Sequence, residues 1–134
     1  MKPIFKPQTE WLPPESFPDL SGYSEIAIDL ETKDPDLKTI GSGSVVGRSK
    51  IVGIAVAVEG WSGYYPIAHE GGGNMDLRMV LKWFQDVLNT DATKIFHNAM
   101  YDVCFIRAAG LKINGTIVDT MIAGSLVDEN RFRY

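Results

Sequence analysis

Two apolar segments of the chain have the composition of β-strands, and a third follows them closely. The first runs from about Glu25 to Leu30, and the second, Ile51 to Val58 (IVGIAVAV), has the apolar, β-branched character of a central strand buried on both faces. Trp61 to Ala68 follows after Glu59-Gly60, and we expect it to pair with the second strand as a hairpin. Pro66 cannot donate to a β-ladder, which indicates an edge position for this third strand.

Helical periodicity begins after Asn74, whose side chain is suited to an N-cap. The predicted helix has one apolar face, with Trp83 at its margin, made of Leu77, Val80, Leu81, Phe84, Val87 and Leu88. After a short predicted strand at Lys94 to His97, residues Asn98 to Ala109 have the pattern of a second helix, with Gly110 as its C-cap. The residues expected to be buried in this second helix are Val103, Phe105 or Ile106, and Ala109.

The last part of the chain predicts a strand at Ile113 to Val118 and a helix from Thr120 to about Val127, with Asp119 as its cap. The order β-β-β-α-β-α-β-α indicates an α/β fold, a mixed sheet with helices on its faces. Residues 1–20 carry five prolines, and we expect an extended leader that Trp11 and Phe17 pin onto a domain of residues 21–134. Residues 34–50 are predicted to form a loop, and Gly71 to Gly73 a flexible connection.

Composition limits the class of protein. The 134 residues make one domain's worth of chain, and the net charge of −4 argues against a simple electrostatic nucleic-acid binder, unless bound metal ions reverse the sign of an acidic site. Cys104 is the only cysteine, so neither an intramolecular disulfide nor a thiolate metal cluster can form within the chain. The longest apolar run, Ile51 to Val58, is too short to cross a bilayer, and the N-terminus lacks the apolar core of a signal peptide. We therefore expect a soluble, cytoplasmic protein with no membrane partner.

Two carboxylates end the first predicted strand. Side chains alternate across a strand, so Asp29 and Glu31 point to the same face, where their like charges favour a cation between them. Carboxylate oxygens suit Mg²⁺ or Mn²⁺. Alone, this spacing is a weak signal, because two acids at a strand end are more often solvated loop residues.

A second polar cluster begins the helix that follows the strand at Lys94 to His97. Asn98 and Asp102 are separated by one helical turn and therefore share a face. Open α/β sheets bind ligands at the carboxyl ends of their strands, so Asp102 is expected near the first pair of acids if the two strands are neighbours. The alternative is structural: Asn98 caps the helix and Asp102 complements its dipole. His97 either faces substrate or is a hydrogen-bonded structural residue, and His69 has no partner at a metal-binding spacing.

Three stretches together resemble the DEDD-type (DnaQ-like) 3′-5′ exonucleases, in particular the proofreading domain of family A DNA polymerases and of their phage members. They are Ile28-Asp29-Leu30-Glu31-Thr32, His97-Asn98-Ala99-Met100-Tyr101-Asp102 and Val118-Asp119-Thr120-Met121, and the resemblance extends from about Glu25 to Tyr134. It implies a ribonuclease H-like fold. It also implies removal of nucleotides from a single-stranded 3′ end of DNA, with a polymerase module in the same or a companion chain. If the chain is phage-encoded, its location would be the host cytoplasm.

The same resemblance implies roles for individual residues. Asp29 would bridge two Mg²⁺ or Mn²⁺ ions, Glu31 would hold the first and Asp102 the second. The residues that would contact the 3′-terminal nucleotides are Leu30, Thr32, His97, Asn98 and Tyr101. Two such metal ions would promote hydrolysis of the phosphodiester bond by activating a water molecule and stabilising the leaving oxygen.

The family's third motif, a Tyr or His followed four residues later by Asp, does not occur after Asp102, and Asp119 falls too early for it. We therefore expect a chain that stops before that motif, with three of four carboxylates, weak metal binding and poor or absent catalysis. The Asp119-Thr120-Met121 context favours the Tyr type. Three alternatives stay open: a module that binds DNA ends or a partner protein without cutting, an RNA-trimming enzyme similar to ribonuclease D, and a ribonuclease H-like endonuclease.

Overall fold

A computed structural model describes residues 13–33 and 50–127 of the chain. Its strands are β1 (Glu25–Lys33), β2 (Lys50–Val58), β3 (Trp61–Pro66), β4 (Thr93–Phe96) and β5 (Ile117–Asp119). Its helices are α1 (Leu77–Asn89), α2 (Ala99–Ala108) and α3 (Thr120–Val127). The predicted order of elements is confirmed.

The strands form one mixed sheet in the order β3-β2-β1-β4-β5. The pairings of β1 with β2 and of β2 with β3 are antiparallel, whereas those of β1 with β4 and of β4 with β5 are parallel. The predicted edge position of β3 is confirmed. The α/β class with a mixed, helix-flanked sheet is confirmed as well.

One face of the sheet carries the hydrophobic core. Alternate residues of β1 are buried, and they join buried side chains of β2, α1 and α2 in a single cluster. Its fully buried members include Ile26, Ile54, Phe84 and Ile106. The other face, here called the open face, carries Ala27, Asp29 and Glu31 of β1 and Ala55 and Ala57 of β2. The prediction that β2 is buried on both faces was wrong, because Ala55 and Ala57 are only partly covered.

Helix α1 begins later than predicted. Asp76 is its N-cap and accepts a hydrogen bond from the Met79 N–H at 3.0 Å. Asn74, the predicted cap, instead exchanges two hydrogen bonds with the backbone of His69. Leu77 is half exposed, because it lies at the first turn, whereas Trp83 is buried and belongs to the core face.

The later elements also differ in detail. In α2, Phe105 and Ile106 are both buried, but Ala109 lies beyond the helix and is exposed. Strand β5 begins at Ile117 rather than at residue 113, because only Ile117, Val118 and Asp119 pair with β4. Helix α3 has the predicted bounds.

The described residues from Phe17 to Leu20, before β1, pack on the core. The Phe17 ring stacks on Tyr65 with centroids 5.6 Å apart, and the Trp83 indole N–H donates to the Pro18 carbonyl at 2.8 Å. Leu20 is 3% exposed. The predicted contact of Phe17 is confirmed, whereas Trp11 and the loop predicted at residues 34–49 lie outside the described residues.

The pairing of β1 with β2 contains a bulge. Glu31 lies opposite Gly53 and Thr32 opposite Ile51, which leaves Val52 as an extra residue of β2. The Val52 carbonyl accepts hydrogen bonds from the N–H groups of Ile67 and Ala68 just after β3.

Within the described residues, no helix is long and apolar enough to span a membrane.

Candidate active site

Strand β1 extends beyond β4, its parallel neighbour in the sheet. Pairing with β4 covers only Glu25 to Ala27, so the second half of β1 extends past the end of β4. Asp29 and Glu31 lie in this extension, and both side chains are exposed on the open face. The predicted common orientation of these two carboxylates is therefore observed.

Asp102 lies beside this extension of β1, on the side that β4 does not reach. Asp102 lies in the first turn of α2, is 3% exposed, and hydrogen bonds with the Leu30 backbone between the two carboxylates of β1. Burial raises the pKa of the Asp102 carboxyl to about 7, and the nearby charge of Asp29 adds to the rise. Its Oδ2 is buried without a hydrogen-bond partner among the described residues. The fold thus brings the carboxylates of Asp29 and Asp102 together.

Asp119 positions the start of α2. Its carboxylate accepts hydrogen bonds from the N–H groups of Asn98 at 3.0 Å and Ala99 at 2.9 Å, and a third from Met121 at 3.0 Å. Burial alone would raise the pKa of Asp119, but these backbone N–H groups lower it below its usual value. Asp119 therefore caps both α2 and α3. The structural alternative for Asn98 was wrong, because its side chain makes no capping bond and its backbone is left-handed, with φ of 61°.

The remaining substrate-binding candidates lie around the same strand ends. The Thr32 hydroxyl hydrogen bonds the Tyr101 hydroxyl at 2.8 Å, which ties the end of β1 to the first turn of α2. His97 is exposed, and its Nδ1 lies 3.0 Å from the Thr120 hydroxyl. Leu30 is buried, so its backbone rather than its side chain is near the carboxylates.

Three residues next to Glu31 were not assigned to the site from the sequence: Tyr64, Gly53 and His69, of which only His69 was considered and was given no metal-binding partner. The Tyr64 hydroxyl donates to Glu31 Oε2 at 2.5 Å and lies 2.6 Å from His69 Nε2, and Gly53 faces Glu31 across the β1–β2 pairing. Burial raises the pKa of Tyr64 above its usual range, and its hydrogen bond to Glu31 adds to the rise. The period of two in β3 places Tyr64 and Tyr65 on opposite faces, but only the strand order reveals that Tyr64 faces Glu31.

The carboxylates of Asp29, Glu31 and Asp102 offer oxygen ligands to a cation. In residues 13–33 and 50–127, no three His, Cys, Asp or Glu side chains lie close enough to hold one metal ion in common. Asp29 instead has two carboxylate neighbours on different sides, Glu31 two residues along the strand and Asp102 from α2. Asp102 Oδ2, buried and unpartnered, is the atom that such an arrangement leaves for a cation.

An open cavity of about 620 Å³ lies beside Asp29. Its floor is the open face of the sheet, where Ala27, Ala55 and Ala57 present small apolar side chains, and Asp29 and His97 lie on its lining. The Asp29 carboxylate therefore lies beside a concave surface.

Two relatives give the chain its context. It is 37% identical over 132 residues to a DNA-directed DNA polymerase of Pseudomonas phage M6, a match that covers 90% of this chain and 19% of the polymerase. DNA polymerase I of Borreliella burgdorferi is 27% identical over 106 residues, which are 78% of this chain and 11% of that protein. The chain thus spans less than a fifth of the length of these polymerases. The expected relationship to DNA polymerases is confirmed, and no protein-family model matches the chain.

Solved structures agree on the fold. NrnC of Brucella melitensis with bound Mg²⁺ superposes with a TM-score of 0.58 at 19% identity, over 91% of this chain and 53% of that one. The EXO domain of Aedes aegypti Nibbler gives a TM-score of 0.52 at 19% identity, over 88% of this chain and 53% of that one. The ribonuclease H-like fold is confirmed.

Proposed function

We propose that this chain is a DnaQ-like, DEDD-type 3′-5′ exonuclease domain that removes nucleotides from the single-stranded 3′ end of DNA and proofreads for a DNA polymerase. One observation carries the proposal. The buried carboxyl of Asp102 has an oxygen without a hydrogen-bond partner among the described residues, and it lies beside the exposed carboxylate of Asp29 at the end of β1. The relationship to DNA polymerases supplies the substrate class, and the phage relative indicates host cytoplasm as the location.

Two divalent cations, Mg²⁺ or Mn²⁺, are the proposed cofactors. Asp29 would share one cation with Glu31 and the other with Asp102, so neither ion needs three side chains of this chain. The carboxylate oxygens of these three residues and the unpartnered Asp102 Oδ2 support this assignment, and NrnC, with a similar fold, holds Mg²⁺. Cations at such a site activate water and stabilise the leaving 3′ oxygen of the phosphodiester.

The other residues of the site would position the DNA end. Tyr101, held by Thr32, presents an aromatic ring beside the carboxylates on which a terminal base can stack. His97 and Asn98 stand at the end of β4, next to the open cavity, where a phosphate or sugar would lie. Leu30 contributes through its backbone, which fixes the Asp102 carboxyl.

Trimming of a DNA end tests the proposal. A 5′-labelled single-stranded oligonucleotide is incubated with the chain in Mg²⁺ or Mn²⁺, and products are resolved to single nucleotides. Because the chain offers three of the family's four carboxylates, we expect slow stepwise shortening from the 3′ end, which EDTA and Asp29→Asn both abolish. The matched control is Asp86→Asn, which removes an exposed carboxylate of α1 and should leave trimming unchanged.

Other results would contradict the assignment. Undiminished trimming by Asp29→Asn would place the chemistry elsewhere. Binding of the oligonucleotide without nucleotide release at high Mn²⁺ would identify a non-catalytic end-binding module. Faster trimming of RNA would favour a ribonuclease D-like activity, and cleavage of a circular substrate would indicate an endonuclease.

A further inference from the structure

Tyr64 reaches Glu31 across a neighbouring strand. Glu31 lies opposite Gly53 in the β1–β2 pairing, whereas Tyr64 lies opposite Ala55 in the β2–β3 pairing. The Tyr64 side chain must therefore cross β2 to contact Glu31, and it crosses at Gly53. A Cβ atom at Gly53 would lie 1.8 Å from the Tyr64 hydroxyl and 2.3 Å from Cζ, which is inside the ring's own volume. Only glycine leaves room for this crossing.

The Tyr64 hydroxyl contacts His69, whose backbone is held by hydrogen bonds within the loop after β3. His69 Nε2 lies 2.6 Å from the Tyr64 hydroxyl and 3.6 Å from Glu31 Oε2. The His69 backbone is fixed by Asn74, which accepts from its N–H at 2.7 Å and donates to its carbonyl at 2.9 Å. The next residue, Glu70, forms an ion pair with Lys33 of β1. The loop after β3 is thus attached to β1 on the side of the carboxylates.

We propose that Tyr64 is a positioning residue that fixes the orientation of the Glu31 carboxylate for a divalent cation, with His69 orienting the Tyr64 hydroxyl and Gly53 providing the space. This inference rests on the proposed function of the Asp29–Glu31 pair. Rotation about the last bond of a glutamate side chain is nearly free, and Glu31 is largely exposed, so its carboxylate has no burial to fix it. A hydrogen bond to Oε2 sets the plane of the group and the direction of Oε1.

Calorimetric titration of Mn²⁺ into the 134-residue chain tests this role. Tyr64→Phe keeps the ring over Gly53 but removes the hydroxyl, and we expect a Kd for Mn²⁺ higher by about 10- to 100-fold, as for other groups that hydrogen bond a metal ligand. The control is Tyr65→Phe, which removes the hydroxyl that donates to the Ser16 carbonyl and lies on the core face. Its Kd should equal that of the unmodified chain.

Gly53→Ala tests the geometry independently. The new methyl group would displace the Tyr64 ring, so we expect a loss of Mn²⁺ affinity similar to that of Tyr64→Phe. Combining the two substitutions should add no further loss, because both break the same contact. Gly22→Ala is the control, since Gly22 is exposed with no atom near a Cβ at that position. Thermal unfolding of each variant establishes that the fold is retained at the titration temperature.

The Asp29→Asn variant distinguishes the proposed metal site from the proposed positioning role of Tyr64. If this variant loses Mn²⁺ binding while Tyr64→Phe retains full affinity, the positioning role is overturned and the metal site stands. If the unmodified chain shows no Asp29-dependent binding, the metal site is overturned, and the positioning role with it. Equal losses in Tyr64→Phe and Tyr65→Phe would mean that either hydroxyl merely stabilises the sheet, which also overturns the proposal.

Discussion

Asp102 is the residue at which stability and the proposed function are in conflict. A carboxyl that is 3% exposed, with Oδ2 lacking a partner in the described part of the chain, is destabilised when ionised. Its pKa of about 7 reflects burial first and the Asp29 charge second. A cation beside both carboxylates would reverse that cost, because it favours the ionised forms. The buried Asp102 carboxylate that destabilises the metal-free protein would therefore strengthen metal binding.

The pH dependence of unfolding follows from this shift. Because the folded-state pKa of Asp102 lies above the ordinary value of 3.8, the folded protein holds a proton that the unfolded chain has lost between pH 4 and 7. The free energy of unfolding should fall over this range and level off above it. Asp102→Asn removes the ionisation, so without metal it should exceed the unmodified protein in stability by up to about 4 kcal/mol at pH 8, but not at pH 4.

Urea unfolding monitored by circular dichroism at pH 4, 6 and 8, in the presence of EDTA, measures this difference. Asp86→Asn, an exposed carboxylate on α1, should follow the unmodified protein at every pH. A stability gap between Asp102→Asn and the unmodified protein that is the same at pH 4 and pH 8 would contradict the assigned titration.

At the scale of elements, Asp119 connects two helices to the edge of the sheet. It ends β5, and its carboxylate binds the first N–H groups of α2 and an N–H of α3. Helix α2 has no capping bond from its own Asn98, so its first turn depends on this distant acid. Asp102 lies in that turn, and the proposed site therefore depends on β5.

Removal of this double cap should cost more than removal of a single one. We expect Asp119→Ala to lower the free energy of unfolding by about 2 kcal/mol, roughly twice the typical cost of one cap. The comparison is Asp76→Ala, which removes the single cap of α1 and should cost about 1 kcal/mol. Denaturant titrations at one pH give both values, and equal costs would show that one of the two Asp119 caps contributes nothing.

Sequence reasoning succeeded at this scale where a pattern is local. The period of two in β1 predicted the shared face of Asp29 and Glu31, and the period of helix α1 predicted most of its buried face. It failed where the partner is distant in sequence. Asp76 rather than Asn74 caps α1, because the Asn74 side chain binds the His69 backbone instead. Tyr64 could not be assigned to Glu31 before the strand order was known.

At the scale of the whole molecule, Phe17 to Leu20, before β1, are part of the packed structure. Phe17 lies against Tyr65 and Trp83, with ring centroids 5.6 Å and 5.9 Å away, and Leu20 is buried in the core. A boundary at residue 20, as expected from the prolines, would divide this cluster. We place the start of the folding unit at or before Phe17.

Substitution of Phe17 measures this contribution. Since the ring is partly buried, Phe17→Ala should lower the free energy of unfolding by about 1–3 kcal/mol, less than the 3–5 kcal/mol of a fully buried phenylalanine. Glu15→Ala, an exposed position of the same segment, should change it by less than about 0.5 kcal/mol. Equal stability of Phe17→Ala and the unmodified protein would restore residue 20 as the boundary.

The extra residue in β2 has a consequence for variation in chain length. Val52 lies between the pairing of Glu31 with Gly53 and that of Thr32 with Ile51. Deletion of Val52 would therefore make the β1–β2 pairing regular while Gly53 keeps its place under the Tyr64 ring, but it would remove the carbonyl that accepts from the N–H groups of Ile67 and Ala68. A change of length on the other side of Gly53, between Ile54 and Val58, would alter the register with β3 and move Tyr64 to the face of the core. The bulge at Val52 is thus the position in β2 where a one-residue deletion keeps Tyr64 on the side of the carboxylates.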